Sequence, residues 1–153
     1  MTTDWDATGK LVTAVIAVYG AVVATYNLVA SRRRALKVQA AVVPWVQRGK
    51  PTEPGLVVEA VNTGHRVVII DSFGVRAGDV WLDLGGKAET DPESRPWSLE
   101  DGEDFKFFIP ARELAGLLRA AGALGRVGLR AWIRDSTGKR FRSNRITFDT
   151  EAS

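Results

Sequence analysis

From Leu11 to Ser31 the chain runs for 21 residues without a charged side chain, and Arg32, Arg33 and Arg34 follow at once. A helix rises ~1.5 Å per residue, so a run of this length reaches ~30 Å, the thickness of a bilayer's hydrocarbon core. Leu11, Val12, Val15, Ile16, Val18, Val22, Val23, Leu28 and Val29 supply a lipid-compatible surface. A cleaved signal peptide is disfavoured because Asp4 and Asp6 precede the run, because the run is too long, and because three arginines close it. A helix apolar on all sides would need a larger protein around it than this chain provides. The expectation is a transmembrane helix over 11–31, with 1–10 as an N-terminal tail on the far side.

Orientation follows from the flanks. Arg32, Arg33, Arg34 and Lys37 lie just after the run and Lys10 alone lies before it. Basic residues stay on the cytoplasmic side, which predicts a single-pass protein of the cell membrane with its N-terminus outside and its C-terminal domain in the cytoplasm. The reversed topology, with an external domain, runs against the arginines. Along the run, Thr13, Ala17, Ala21 and Thr25 recur every fourth residue, a spacing of small side chains that lets two helix backbones approach in lipid and so predicts self-association.

The whole chain carries a formal +3, and the location of that charge argues against a nucleic-acid-binding domain. Between Arg32 and Lys50 there are six basic residues and no acidic one, whereas 51–153 holds 14 basic against 16 acidic residues, a net of −2. The basicity therefore belongs to the membrane-proximal segment, which suits an anionic lipid surface better than a nucleic acid. The chain has no cysteine, which removes disulfides, thiolate metal sites and cysteine nucleophiles. With 153 residues there is room for one anchor and one domain of about 100 to 120 residues.

The remainder reads as strands. A basic juxtamembrane segment and first strand occupy 32–50, the strand running from about Leu36 to Val46, with Pro44 tolerable only at a sheet edge. A sandwich domain over 51–149 and a short tail over 150–153 complete the chain. Gly55–Val61 and Arg66–Ile70 are valine- and isoleucine-rich runs around Asn62, Thr63, Gly64 and His65, a turn composition. Phe73–Arg76 and Val80–Leu84 add one or two short strands. Gly85–Asp104, with seven acidic residues and a lone Trp97, reads mostly as loop. Phe105, Phe107 and Ile109 share one face of the next strand, opposite Lys106 and Phe108. Pro110 opens a short crossover helix to about 121, with Leu114, Leu117, Leu118 and Ala121 as its stripe and Gly122 as its terminator. Val127, Leu129, Ala131 and Ile133 alternate with Gly128, Arg130, Trp132 and Arg134, and a turn at Asp135–Gly138 leads into a strand from Lys139 to Phe148. Short antiparallel strands with one helix predict a two-layer, mainly-β sandwich.

The segment from Val57 to Asp71 resembles the Val-x-Asn-x-Gly strand-turn-strand element of immunoglobulin-like sandwiches in bacterial proteins. The whole architecture is similar to small single-pass bacterial membrane proteins carrying such a domain. The resemblance implies an immunoglobulin-like fold, without the Cys…Trp…Cys pattern of antibody-type domains.

No catalytic set, cofactor motif or metal centre is expected. His65 is the only histidine, without a second histidine or a cysteine to complete a zinc site. The spacing of Asp101, Glu103 and Asp104 does not match a calcium loop, and Gly85-Gly86-Lys87 lacks the hydroxyl residue of a phosphate loop. The strongest candidate for binding is the outward face of the last hairpin, where Arg130, Trp132, Arg134, Arg140 and Arg142, with Lys139 and Arg145 beside them, form a basic aromatic patch suited to phosphate groups, either of lipid heads or of a nucleic-acid backbone. The alternative is a solvent face guarded by charge against edge-to-edge association. The sequence thus points to a non-enzymatic, membrane-anchored module for an unidentified protein partner or for self-assembly. The second possibility is an oligomeric, channel-like membrane effector with the sandwich as sensor and Asn27 among its polar helix contacts.

Overall fold

The computed structural model describes residues 15–27, 35–45, 52–91 and 95–151. The chain divides into two units, Met1–Arg33 and Arg34–Ser153. In the first, residues 15–27 form helix α1, and its Val15, Ile16, Val18, Tyr19, Val22 and Tyr26 are all exposed. Among the described residues no helix is long and apolar enough to cross a membrane. The rest of the expected span, 11–14 and 28–31, lies outside the described residues, as do Thr13 and Arg32, Arg33 and Arg34.

The second unit is built from strands β1 (Leu36–Trp45), β2 (Glu53–Asn62), β3 (Val68–Ala77), β4 (Val80–Asp83), β5 (Glu89–Asp91), β6 (Trp97–Leu99) and β7 (Asp104–Pro110), then helix α2 (Ala111–Ala120), then β8 (Arg126–Asp135), β9 (Arg140–Arg142) and β10 (Ile146–Asp149). One sheet has the order β1-β2-β7-β5 and the other β10-β8-β3-β4, with β6 also on β3 and β9 also on β8. Every pairing is antiparallel. The unit is therefore the expected mainly-β, sandwich-like fold with one short helix.

Period-2 alternation delivers the core. Val38, Ala40, Leu56, Val58, Phe105, Phe107 and Ile109 come from the first sheet, and Phe73, Val75, Leu129, Ala131, Ile133 and Phe148 from the second, into a single apolar cluster. At its centre Phe73 stacks on Phe107 with ring centroids 4.5 Å apart and meets Trp97 edge-on at 5.4 Å, the geometries that aromatic quadrupoles favour. Trp97 is thus a core residue on β6. The interval from Gly85 to Asp104, expected to be mostly loop, supplies two short strands because a buried tryptophan and Leu99 outweigh its polar composition.

The first strand ends within a residue of its expected bound, and its edge is managed. Ala40 donates its amide to Asn144 Oδ1 at 2.9 Å and accepts from Asn144 Nδ2 at 3.0 Å, so Ala40 turns both backbone groups away from β2. By the two-residue period Pro44 faces the same way, where its missing N–H costs no ladder bond. Asn144 lies in the break between β9 and β10. The expected continuous strand from Lys139 to Phe148 is split there, because the Ser143 hydroxyl accepts the Ala131 amide at 2.9 Å in place of a backbone carbonyl. Conversely, the runs Arg66–Ile70 and Phe73–Arg76 join into one strand, β3, with a register shift between Ile70 and Ser72 that absorbs Asp71.

Pro110 caps α2, as its fixed φ suits a helix start. The buried stripe is Ala111, Leu114, Ala115 and Leu118. Leu117 is half-buried and Ala121 is exposed, because the helix ends one residue before it. Gly122, at φ +88°, donates to the Arg119 carbonyl while Ala123 donates to that of Leu118, both at 2.9 Å, the paired bonds of a left-handed helix terminator. A Cβ there meets no neighbour within 4 Å, so Gly122→Ala isolates the backbone strain. The substitution is expected to lower stability by about 1 kcal/mol, read as a lower urea midpoint at unchanged slope. An unmoved midpoint would show that the left-handed cap carries no cost.

Candidate functional site

The outward side chains of the second sheet assemble from cross-strand register. On β8 they are Gly128, Arg130, Trp132 and Arg134. Trp132 lies between Gly74 of β3 and Arg142 of β9, Arg130 opposite Arg76, and Arg134 opposite Arg140. β4 joins through a two-residue Gly78–Asp79 turn, which places Trp81 opposite Arg76. Gly78 has φ +59°, a value that favours glycine at the first position of such a turn.

These residues line a groove of about 250 Å³, formed by Arg76, Trp81, Arg130, Trp132, Arg142 and Arg145 with Gly78, Gly128 and Ala131. Trp132 lies over Gly74 and is only 7% exposed, and its indole N–H donates to the Val75 carbonyl at 3.2 Å. It is the covered floor of the patch, although it stands on the outward face of β8. Trp81, at 38%, forms the wall, its ring centroid 6.0 Å from that of Trp132. Guanidinium groups gather on the Trp81 ring: Arg76 at 4.8 Å, Arg140 at 5.0 Å and Arg142 at 5.9 Å, within cation–π range. Arg76 also donates from Nε to the Gly78 carbonyl at 2.6 Å, and Asp79 stands 3.8 Å from its Nη2. The guanidinium of Arg145 occupies the space that a side chain at Gly128 would take.

The structure therefore brings Arg130, Trp132, Arg140 and Arg142 onto one face and diverts Arg134. Its Nη2 and Nε reach Asp71 Oδ2 at 2.6 and 3.0 Å, the bulge having turned that carboxylate toward it. Lys139 leans over the Phe141 ring at 4.8 Å. Arg76 and Trp81 were not among the expected patch residues. Their signal was the Gly78–Asp79 turn, which fixes Arg76 opposite Trp81 once the hairpin is recognised.

Elsewhere the surface is balanced. Lys106 bonds Asp104 at 2.7 Å and Glu59 at 3.2 Å, and these hydrogen bonds, Asp104 first, raise its pKa above 10.5. Phe108, on the same side of β7, is 5% exposed and covered. His65 is exposed in its turn, 2.8 Å from Asp101 Oδ2. No cluster of three or more metal-ligating side chains occurs among the described residues. On α1, Ala17, Ala21 and Thr25 share a face, and the Thr25 hydroxyl donates to the Ala21 carbonyl at 2.8 Å. Lys37, beyond the arginines, is exposed on β1. No family model matches this sequence, and no curated protein matches it either.

Proposed function

We propose that the chain is a single-pass membrane protein that holds a non-enzymatic, immunoglobulin-like sandwich at the cytoplasmic face as a binding module. The observation that carries the binding role is the arginine–tryptophan groove, a concave surface whose side chains come from β3, β4, β8 and β9, with Arg145 from the segment between β9 and β10. The immunoglobulin-like assignment is supported by strand order. With β1, β2, β7 and β5 as strands A, B, E and D, and β10, β8, β3 and β4 as G, F, C and C′, the two sheets follow that fold's ABED and GFCC′ arrangement. The anchor is supported by the exposed apolar side chains of α1 within an uncharged run closed by arginines. Ala17 and Ala21 offer a helix–helix contact for self-association.

The full chain is expected to stay in the membrane pellet after alkaline carbonate extraction, and its domain to resist protease in intact cells and yield after lysis. Release into the supernatant, or cleavage in intact cells, would overturn the anchor or its orientation. Partners copurified in mild detergent are expected to be lost when Arg130 and Arg142 are both replaced by Glu. Retention of all partners by a folded double variant would remove this face from the binding role.

A further inference from the structure

Arg76 and Arg130 are direct cross-strand partners, as are Arg134 and Arg140. Like charges directly opposite each other in a sheet are destabilising. Only Arg134 has its charge offset at close range, by Asp71. Among the described residues no carboxylate comes within 4.0 Å of Arg130, Arg140, Arg142 or Arg145, and Asp79 approaches Arg76 only at 3.8 Å. This clustering stands out in a domain whose 51–153 segment is net negative and whose Lys106 has two carboxylate partners, at 2.7 and 3.2 Å.

We propose that this groove is a binding site for a compact, multiply charged phosphate group, a reading that rests on the face being a binding surface. Four arginines and no acidic residue line about 250 Å³, a volume just below the usual ~300–1,000 Å³ of small-molecule pockets. So much cationic charge in so small a space matches the ligand group with the most charge per volume. A phosphate monoester carries about −1.5 to −2, against −1 for a carboxylate. The guanidinium fork suits phosphate oxygens, and two of the four forks are held in place beforehand. Arg76 is fixed by the Gly78 carbonyl and the Trp81 ring, and Arg142 rests on that ring with Arg140 beside it. The same stacking argues against single-stranded nucleic acid, which needs bare aromatic faces for its bases. Trp81 already carries cations and Trp132 is buried.

The phosphate can belong to a soluble anion or to a lipid headgroup, and the test separates the two. Full-length protein in neutral detergent is titrated with inorganic pyrophosphate by calorimetry, with its melting followed in parallel. Saturable heat and a raised melting midpoint are expected, since a ligand that binds only the folded state stabilises it. Arg130→Gln and Arg142→Gln are each expected to weaken binding about tenfold, and Arg112→Gln, on the exposed side of α2, to leave it unchanged. Gly128→Ala retains every charge but displaces the Arg145 guanidinium. It is expected to weaken binding several-fold with the ligand-free melting midpoint unchanged.

In nanodiscs, tighter binding of membranes containing phosphatidylinositol bisphosphate than of soluble inositol trisphosphate supports a headgroup ligand, and equal binding supports a free anion. Absence of saturable heat, or heat unaffected by Arg130→Gln and Arg142→Gln together, would overturn the proposal. So would capture of an oligonucleotide or acidic peptide that pyrophosphate fails to displace. Failure of the carbonate extraction would leave this titration intact, and failure of the titration would leave the anchor and its protein partners intact, so the two readings fall separately.

Discussion

Gly74→Ala is expected to destabilise the domain by about 3 kcal/mol, the upper end of the range for overpacked interiors. Gly74 sits mid-strand in β3, paired with Asp83 on one side and Trp132 on the other. A Cβ there would fall onto the Leu82 carbonyl, inside any permissible contact, and 2.9 Å from the Trp132 ring. The first obstacle is backbone, so no rotamer change relieves it. Either β4 lifts from β3 or the strand flexes, and in both cases Trp132 loses its floor. The expected readout is a fall in the urea midpoint together with altered near-ultraviolet circular dichroism from Trp81 and Trp132. A variant within about 0.5 kcal/mol of wild type would mean that the close approach of Gly74 to Leu82 does not constrain this sheet. Gly74→Ala also separates two explanations of the groove. If the groove's shape matters, pyrophosphate binding falls even under conditions where the variant is fully folded.

Period-2 patterning carried most of the domain because burial in a two-layer sandwich is decided by alternation. Val127, Leu129, Ala131 and Ile133 against Gly128, Arg130, Trp132 and Arg134 is a pattern that only one register satisfies. Composition misled at Trp97, where seven acidic residues in Gly85–Asp104 masked a short core strand. Polar surroundings cannot hide a buried indole from the fold, but they do hide it from a periodicity count. The patch was legible on β8 and β9, which are contiguous through one turn. It was not legible on β3 and β4, whose contribution depends on β3 lying beside β8, a pairing between segments about 60 residues apart. Arg134 was assigned to the patch by parity. It left because a bulge at Asp71 supplied a carboxylate, and bulges leave no periodic trace.

Asn62→Ala is expected to cost about 3 kcal/mol, as much as a large core truncation, although it removes only one small polar side chain. Asn62 is fully buried. Its Nδ2 donates to the Arg66 carbonyl at 2.8 Å and the Leu99 carbonyl at 3.0 Å, while Oδ1 accepts from the Gly64 amide at 3.0 Å. Its own backbone amide donates to the Glu103 carbonyl, and its carbonyl accepts from Gly102, each at 2.9 Å. One residue thus ties the β2–β3 turn to the end of β6 and the start of β7. Each lost side-chain bond is worth about 1 kcal/mol, and groups left buried without a partner raise the total. Asn62→Asp discriminates further. A carboxylate keeps the Gly64 bond but cannot donate to Arg66 or Leu99, so it is expected to be at least as damaging as alanine at neutral pH and to recover in part when acidified. Chemical denaturation of the three proteins across pH tests this directly. An aspartate variant as stable as wild type at neutral pH would show that the two carbonyl contacts contribute nothing. The asparagine of the turn motif would then act only through its acceptor.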